Sequence, residues 1–255
     1  MGRRSAKNIM KNSEITECRR CGTCCKKGGP SLHMEDLDLV EKGIIPLKDL
    51  FTIREGEPAN DNIKGSIQPA VTDIIKIKGQ GNSLICRFFD YKNSICGIYD
   101  SRPVECRVLK CWDTSDIERI YSKNRLVRKD LVANIDGLCN LVEEHQKRCS
   151  YDTIKGFINT HNSDKKTDSI KNVLEIINYD KQIRQLIIER GGLDTEILDF
   201  LFGRPLTETI RMFGFDEEIK NYVRNSRYNI KLSRKKRNPD ASEQDGDNSK
   251  AQGAG

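Results

Sequence analysis

Apolar residues recur at two periods along the chain. Asp73-Ile-Ile-Lys-Ile-Lys78 partly alternates, Gly79-Gln-Gly-Asn82 interrupts it, and Ser83-Leu-Ile-Cys-Arg-Phe-Phe89 follows. Two runs around a glycine turn predict a β-hairpin that presents Cys86. Beyond Lys129 the spacing turns helical to about Thr160, a stretch that includes Cys139 and Cys149. After the polar break Asn162–Asp168 it resumes from Ile170 to Arg190. There Ile170, Val173, Leu174, Ile177, Leu186 and Ile187 share a stripe that ends at Gly191-Gly192. Short helices are expected over Thr195–Phe202, Thr207–Phe213 and Asp216–Asn225.

Nearer the start, Met34 to Lys42 predicts a short helix stopped by Gly43. Ile44 to Gly65 carries glycine, proline and asparagine and reads as an irregular connection. Ile95-Cys-Gly-Ile-Tyr99 is a tight segment carrying Cys96. Pro103 suits the first position of a helix, which places Cys106 one turn in and Cys111 near its end. Ser115-Asp-Ile-Glu118 has the form of a capping box and opens a helix toward Lys123. Residues 1–13 are polar without periodicity, and the chain after Lys231 is charged and then rich in Asp, Ser, Gln and Gly. Both ends are expected to be disordered.

The 255 residues are 36% hydrophobic and 32% charged, which predicts a modest core. The net charge of +6 is spread out. Only Arg234-Lys-Lys-Arg237 is a compact basic run, it lies in the tail, and no aromatic residues interleave it, so nucleic acid is not an expected partner. No stretch reaches the roughly 18 apolar residues of a membrane span. Arg3-Arg4 has no apolar run after it, so export is not expected and the cytoplasm is the expected location. Clustered cysteines there point to metal or redox chemistry rather than to disulfides.

Eight of the ten cysteines fall between positions 18 and 111. Cys18, Cys21, Cys24 and Cys25 stand around Gly22; Cys86, Cys96, Cys106 and Cys111 form a second group that joins the first only through tertiary folding. Cys-x2-Cys-x2-Cys is the run of bacterial iron–sulfur sites, but Gly28 stands where the fourth ligand would be. Successive side chains diverge, so Cys24 and Cys25 are expected to serve different metals, or one of them to be a redox thiol or a thiol that surrounds the metal without binding it. Thiolates suit zinc or an iron–sulfur cluster. Four of them on zinc leave two excess negative charges, for which Arg19, Arg20, Lys26, Arg87, Arg102 and Arg107 are the candidate offsets. Cys139 and Cys149 read as small apolar core residues. His33 is expected at the surface and Glu105 in a surface charge pair; His145 and His161 stand alone. Tyr99 and Trp112 are expected to pack on the cysteine core.

The fold class is therefore α+β. A small irregular cysteine-rich metal-binding domain with a short β-hairpin (14–113) lies between a flexible leader (1–13) and a mostly α-helical region (114–231), with a disordered tail (232–255).

Cys18-x2-Cys21-Gly22-x-Cys24-Cys25, followed by Cys86-x9-Cys96-Gly-Ile98-Tyr99-x2-Arg102-Pro103-x2-Cys106-Arg107, resembles the YkgJ-type cysteine-cluster family over residues 14 to 112. The resemblance implies a bound zinc or iron centre. Some members are flagellin lysine methylases thought to use S-adenosylmethionine, which leaves two readings. One is a metal-binding protein for metal handling or electron transfer, with the helical region facing a protein partner. The other is a protein lysine methylase with a structural or redox metal. The radical form of that chemistry wants Cys-x3-Cys-x2-Cys, and the first gap here is two. A third reading makes the zinc purely structural. Where the family has Phe-Pro after its Cys-Arg, this chain has Val108-Leu109-Lys110-Cys111.

Overall fold

Ile75 and Ile77 point into the core and Lys76 to the opposite face of one short strand, and this alternation centres the fold. A computed structural model describes residues 17–135, 137–159, 166–215 and 217–224. The leader, most of the polar break and the tail with its basic run lie outside the described residues.

Strand β1 (Leu50–Ile53) pairs antiparallel with β4 (Ile74–Ile77), Leu50 opposite Ile77 and Ile53 opposite Ile74. This corrects two expectations. The 44–65 stretch is not wholly irregular, and the partner of Ile74–Ile77 is β1, not residues 83–89. The glycine turn after β4 does form, but the returning chain makes only an isolated bridge between Gly79 and Cys86. Gln80 explains this: its amide nitrogen donates to the carbonyls of Cys86 and Phe89 at 3.0 and 2.5 Å, so the loop is braced by a side chain instead of a ladder.

Two further pairs are β2 (Pro58–Asp61) with β3 (Ser66–Pro69), and β5 (Phe89–Asp90) with β6 (Ile95–Cys96). Each turn is held by an aspartate. Asp61 Oδ1 accepts from the amides of Ile63 and Lys64, and Asp90 Oδ1 from those of Lys92 and Asn93.

Helix α1 (Leu37–Glu41) ends before Gly43, as expected. Pro103 precedes α2 (Val104–Val108), which contains Cys106 but stops short of Cys111. Helix α3 (Ser115–Ile120) starts one residue earlier than the capping-box reading, with Thr114 as its cap residue and Thr114 Oγ1 donating to Glu118 at 2.6 Å. The stretch after Lys129 breaks into α4 (Arg128–Val132), α5 (Leu138–Arg148) and α6 (Tyr151–Asn159). Gly137, left-handed at φ 75°, separates the first two. Then come α7 (Lys166–Gly191), α8 (Leu198–Phe202), α9 (Leu206–Thr209) and a helical stretch at 217–224. No described helix is long and apolar enough to cross a membrane.

One core joins β1 and β4 to Leu126, Val132, Val142 and Leu198, Phe200, Leu201 and Phe202 of α8, so it contains residues from both sides of position 113. Thr52 sits inside it and satisfies its hydroxyl on the carbonyl of Phe200 at 2.6 Å. A second core of Tyr151, Ile154, Ile170, Val173, Leu206 and Ile210 lies among α6, α7 and α9. Buried arginines bridge the elements. Arg128 takes both carboxylate oxygens of Asp73 at 2.6 and 3.0 Å and the carbonyl of Leu201; Arg184 holds the carbonyls of Phe202 and Gly203.

Candidate metal centre

The first cysteine group is brought to the second by backbone. After Gly22, left-handed at φ 72°, the chain wraps into a turn in which Lys26 donates back to the Gly22 carbonyl. Phe89 fills the space where a Cβ on residue 22 would stand. The following segment lies along β4, with Ile77 N bonded to Pro30 O and Leu32 N to Ile75 O. Gly29 is pressed against the Ile77 carbonyl, where no side chain fits. The Cys86 amide then reaches the Cys25 carbonyl at 2.8 Å. Cys96 stands opposite Phe89 in the β5–β6 pair, and α2 brings Cys106.

The charges of Cys24, Cys86 and Cys106 thereby reach Cys25, and those of Cys24, Cys86 and Cys96 reach Cys106. Cys86 is buried, Cys25, Cys96 and Cys106 are half-buried, and Cys24 is exposed. The Cys25 thiol hydrogen-bonds to Cys24 Sγ at 4.0 Å, and this bond brings Cys24 down to about 6. Cys25 is pushed up by the same bond and then by burial. Burial first, and the neighbouring sulfurs second, push Cys106 well above the usual thiol range. Cys86 is raised chiefly by burial.

The other three of the eight are exposed. Cys18 Sγ accepts from the Arg20 amide at 3.4 Å. Cys21 lies 3.2 Å from Thr23 Oγ1, is lowered by that hydroxyl, and feels the charge of Cys24. Cys111 lies past the end of α2, in the turn closed by Lys110 and Asp113.

The donors fit a soft metal. Two sulfurs on one tetrahedral zinc stand about 3.8 Å apart at ordinary Zn–S lengths, and those of Cys24 and Cys25 stand at 4.0 Å. These adjacent side chains converge, against the expected divergence, because Cys24 enters the 3-10 turn Cys25–Lys27 in helical conformation. A divalent ion would also supply the positive charge that lets the buried thiols ionise.

Beneath the sulfurs lies a buried polar network that sequence reasoning misplaced. His33 and Glu105 are buried, not at the surface. Glu105 Oε2 accepts from the Ser31 amide at 2.7 Å, and Oε1 lies 3.3 Å from His33 Nε2. His33 Nδ1 meets the Lys123 carbonyl at 2.8 Å. Burial opposes the charged form of both residues, but their hydrogen bonds outweigh it; His33 ends above and Glu105 below its ordinary value. Asp36 accepts from the amides of His33 and Val104, which pins the start of α2 to the segment after the first cysteines. Tyr99 receives Arg102 and Arg20 on its ring, at 3.6 and 4.1 Å from its centroid.

His145 is not alone either. Among the described residues, the tightest grouping of metal-type side chains is His145, Cys149 and Asp180, all buried, their ligand atoms within 4.8 Å of one another. Its surroundings are those of a structural knot. Asp180 Oδ1 takes His145 Nε2 at 2.8 Å and Arg184 Nε at 3.0 Å, and Oδ2 takes the Leu206 amide. The positive charges of Arg184 and Arg54 oppose an added cation. Burial first, then Asp180, pushes the Cys149 thiol up to about 12, so it is a neutral core group, as its sequence position suggested. Cys139 is half-buried, its thiol 3.7 Å from Glu143.

Sulfur donors drawn from two distant segments form a cysteine-rich cluster. Residues 17–118 match the CxxCxxCC family, described as "Putative zinc- or iron-chelating domain". No curated protein and no solved structure matches the chain.

Proposed function

We propose that the chain is a cysteine-cluster metal-binding protein. It holds zinc or an iron–sulfur cluster through the 18–25 and 86–111 groups and serves metal handling or electron transfer in the reducing cytoplasm. What supports this is the donor chemistry of the cysteines, the 4.0 Å approach of Cys24 Sγ to Cys25 Sγ, and the Cys86–Cys25 backbone bond that brings the first cysteine segment against the second. Cys24, Cys25, Cys86, Cys96 and Cys106 would grip the centre. The exposed Cys18, Cys21 and Cys111 would complete it or exchange metal with solvent. When bound, the metal would supply a positive charge for the thiolates or, as an iron–sulfur cluster, an electron-accepting group.

The test is iron, zinc and acid-labile sulfide per chain, on protein purified without oxygen or added metal. Iron with matching sulfide supports a cluster and electron transfer. Zinc without sulfide supports metal handling. Neither metal, with none taken up on titration, overturns the reading.

A further inference from the structure

The loop that carries the first cysteines is edged by cations that no carboxylate holds. Residues 17–27 contain Arg19, Arg20, Lys26 and Lys27 against Glu17 alone, and all of these side chains are exposed. None of the four cations is ion-paired among the described residues. Between them lie the exposed thiols of Cys18, Cys21 and Cys24.

The side chains of Arg20 and Lys26 lie on aromatic rings and not on the sulfurs. Arg20 gives its backbone amide to Cys18 Sγ at 3.4 Å but lays its guanidinium on Tyr99, 4.1 Å from the ring centroid. Arg102 lies on the same ring at 3.6 Å. At the other end of the loop the Lys26 ammonium stands 4.8 Å from the centroid of Tyr91, itself 59% exposed. Both tyrosines flank Cys96: Tyr91 lies in the turn between β5 and β6, and Tyr99 follows Cys96 by three residues. Phe89, packed on Gly22, seats the loop against this hairpin, where Ile95 is also exposed. Of the nearby acids, Asp90 spends both oxygens inside its own turn; Asp100 is exposed.

A guanidinium stacked on a ring keeps its edge free, and that edge forks onto a carboxylate. Arginine and tyrosine around an apolar centre are also what anchors a protein interface. Single-stranded nucleic acid would need open aromatic faces on which to stack its bases, and here both rings carry a cation. We propose that this rim, formed by Arg20, Lys26, Tyr91, Ile95, Tyr99 and Arg102, docks the acidic face of another protein over the exposed thiols. This rests on the reading of the centre as one that passes metal or electrons onward. Docking itself makes and breaks no covalent bond.

The probe is fluorescein-labelled poly-L-glutamate, added to the full-length reduced chain, metal-free and without oxygen. Two quantities are read: its binding, and the rate at which iodoacetamide alkylates each cysteine, mapped by mass spectrometry. Poly-glutamate should bind more weakly as salt rises. It should slow alkylation of Cys18, Cys21 and Cys24 but not of Cys139, which lies on α5. Arg20→Ala combined with Lys26→Ala should weaken binding about tenfold or more and remove the protection. A variant with Arg234→Ser, Lys235→Ser, Lys236→Ser and Arg237→Ser, which removes the compact basic run, should keep it.

Protection that survives the Arg20 and Lys26 substitutions, or that is lost with the basic run, overturns the proposal. So does alkylation that poly-glutamate fails to slow, or an oligothymidylate of matched charge that protects the thiols equally well. Cobalt(II) uptake by the same chain is measured separately. If none is taken up, the metal-binding reading falls, while the alkylation rates of the metal-free chain still decide the docking surface.

Discussion

The amide of Cys86 donates to the carbonyl of Cys25 at 2.8 Å, so two cysteine groups distant in sequence share a backbone hydrogen bond. Serine at position 25, 86, 96 or 106 should therefore reduce bound metal to a small fraction of wild type. Serine at 139 or 149 should leave it unchanged. Elemental analysis of the six variants checks this, and loss of metal in Cys149→Ser with retention in Cys96→Ser would place the centre elsewhere.

Gly22 and Phe89 make the second prediction. An added Cβ would stand 2.1 Å from the Phe89 ring, on a residue already at φ 72°. Gly22→Ala should cost about 2–4 kcal/mol, from left-handed strain and overpacking together. Gly43 is also left-handed but has nothing within 4 Å, so Gly43→Ala should cost about 1 kcal/mol. Denaturant midpoints of the two variants measure the difference.

The cysteine motifs, the helical character of the second half and the end of α1 at Gly43 were legible in the sequence, because each depends on local spacing. The partner of β4 was not. The Ile74–Ile77 pattern states that a strand has a buried face but not which strand lies beside it, and Leu-Phe-Thr-Ile53 is short and set among turn residues. His33 and Glu105 were misplaced for a related reason. A polar side chain is buried when a distant partner meets it, and neither residue carries a local sign of the other. The approach of Cys24 to Cys25 depends on the backbone of one 3-10 turn, which residue types do not reveal.

Burial, the largest cause, holds His145 near 4 even though Asp180 pulls it up. The unfolded chain protonates this histidine near 6.5, the folded chain only near 4. The unfolded state then binds more protons between those values, so stability is full above about 6.5 and falls as pH drops toward 4, by on the order of 3 kcal/mol. Asp180, lowered overall despite its burial, loses its contribution at still lower pH. Urea unfolding from pH 7 to 4 should show the decline, and a residue without a titrating ring in His145→Gln should flatten it relative to the variant's own value at pH 7.

Arg128 is 2% exposed and bonded to Asp73 through both carboxylate oxygens. Asp73→Ala leaves a buried guanidinium without its counter-ion and should cost about 3–5 kcal/mol. The exposed Lys42–Asp38 pair, also 2.6 Å long, is screened by solvent and should change stability far less when broken. Thermal unfolding of Asp73→Ala beside Asp38→Ala separates the two cases.

The centre itself is tested most directly by X-ray absorption at the edge of whichever metal the purified protein carries. The account predicts a first shell made of sulfur, at about 2.3 Å if the metal is zinc. A first shell dominated by nitrogen or oxygen would contradict it, because the ligands would then come from outside the two cysteine groups.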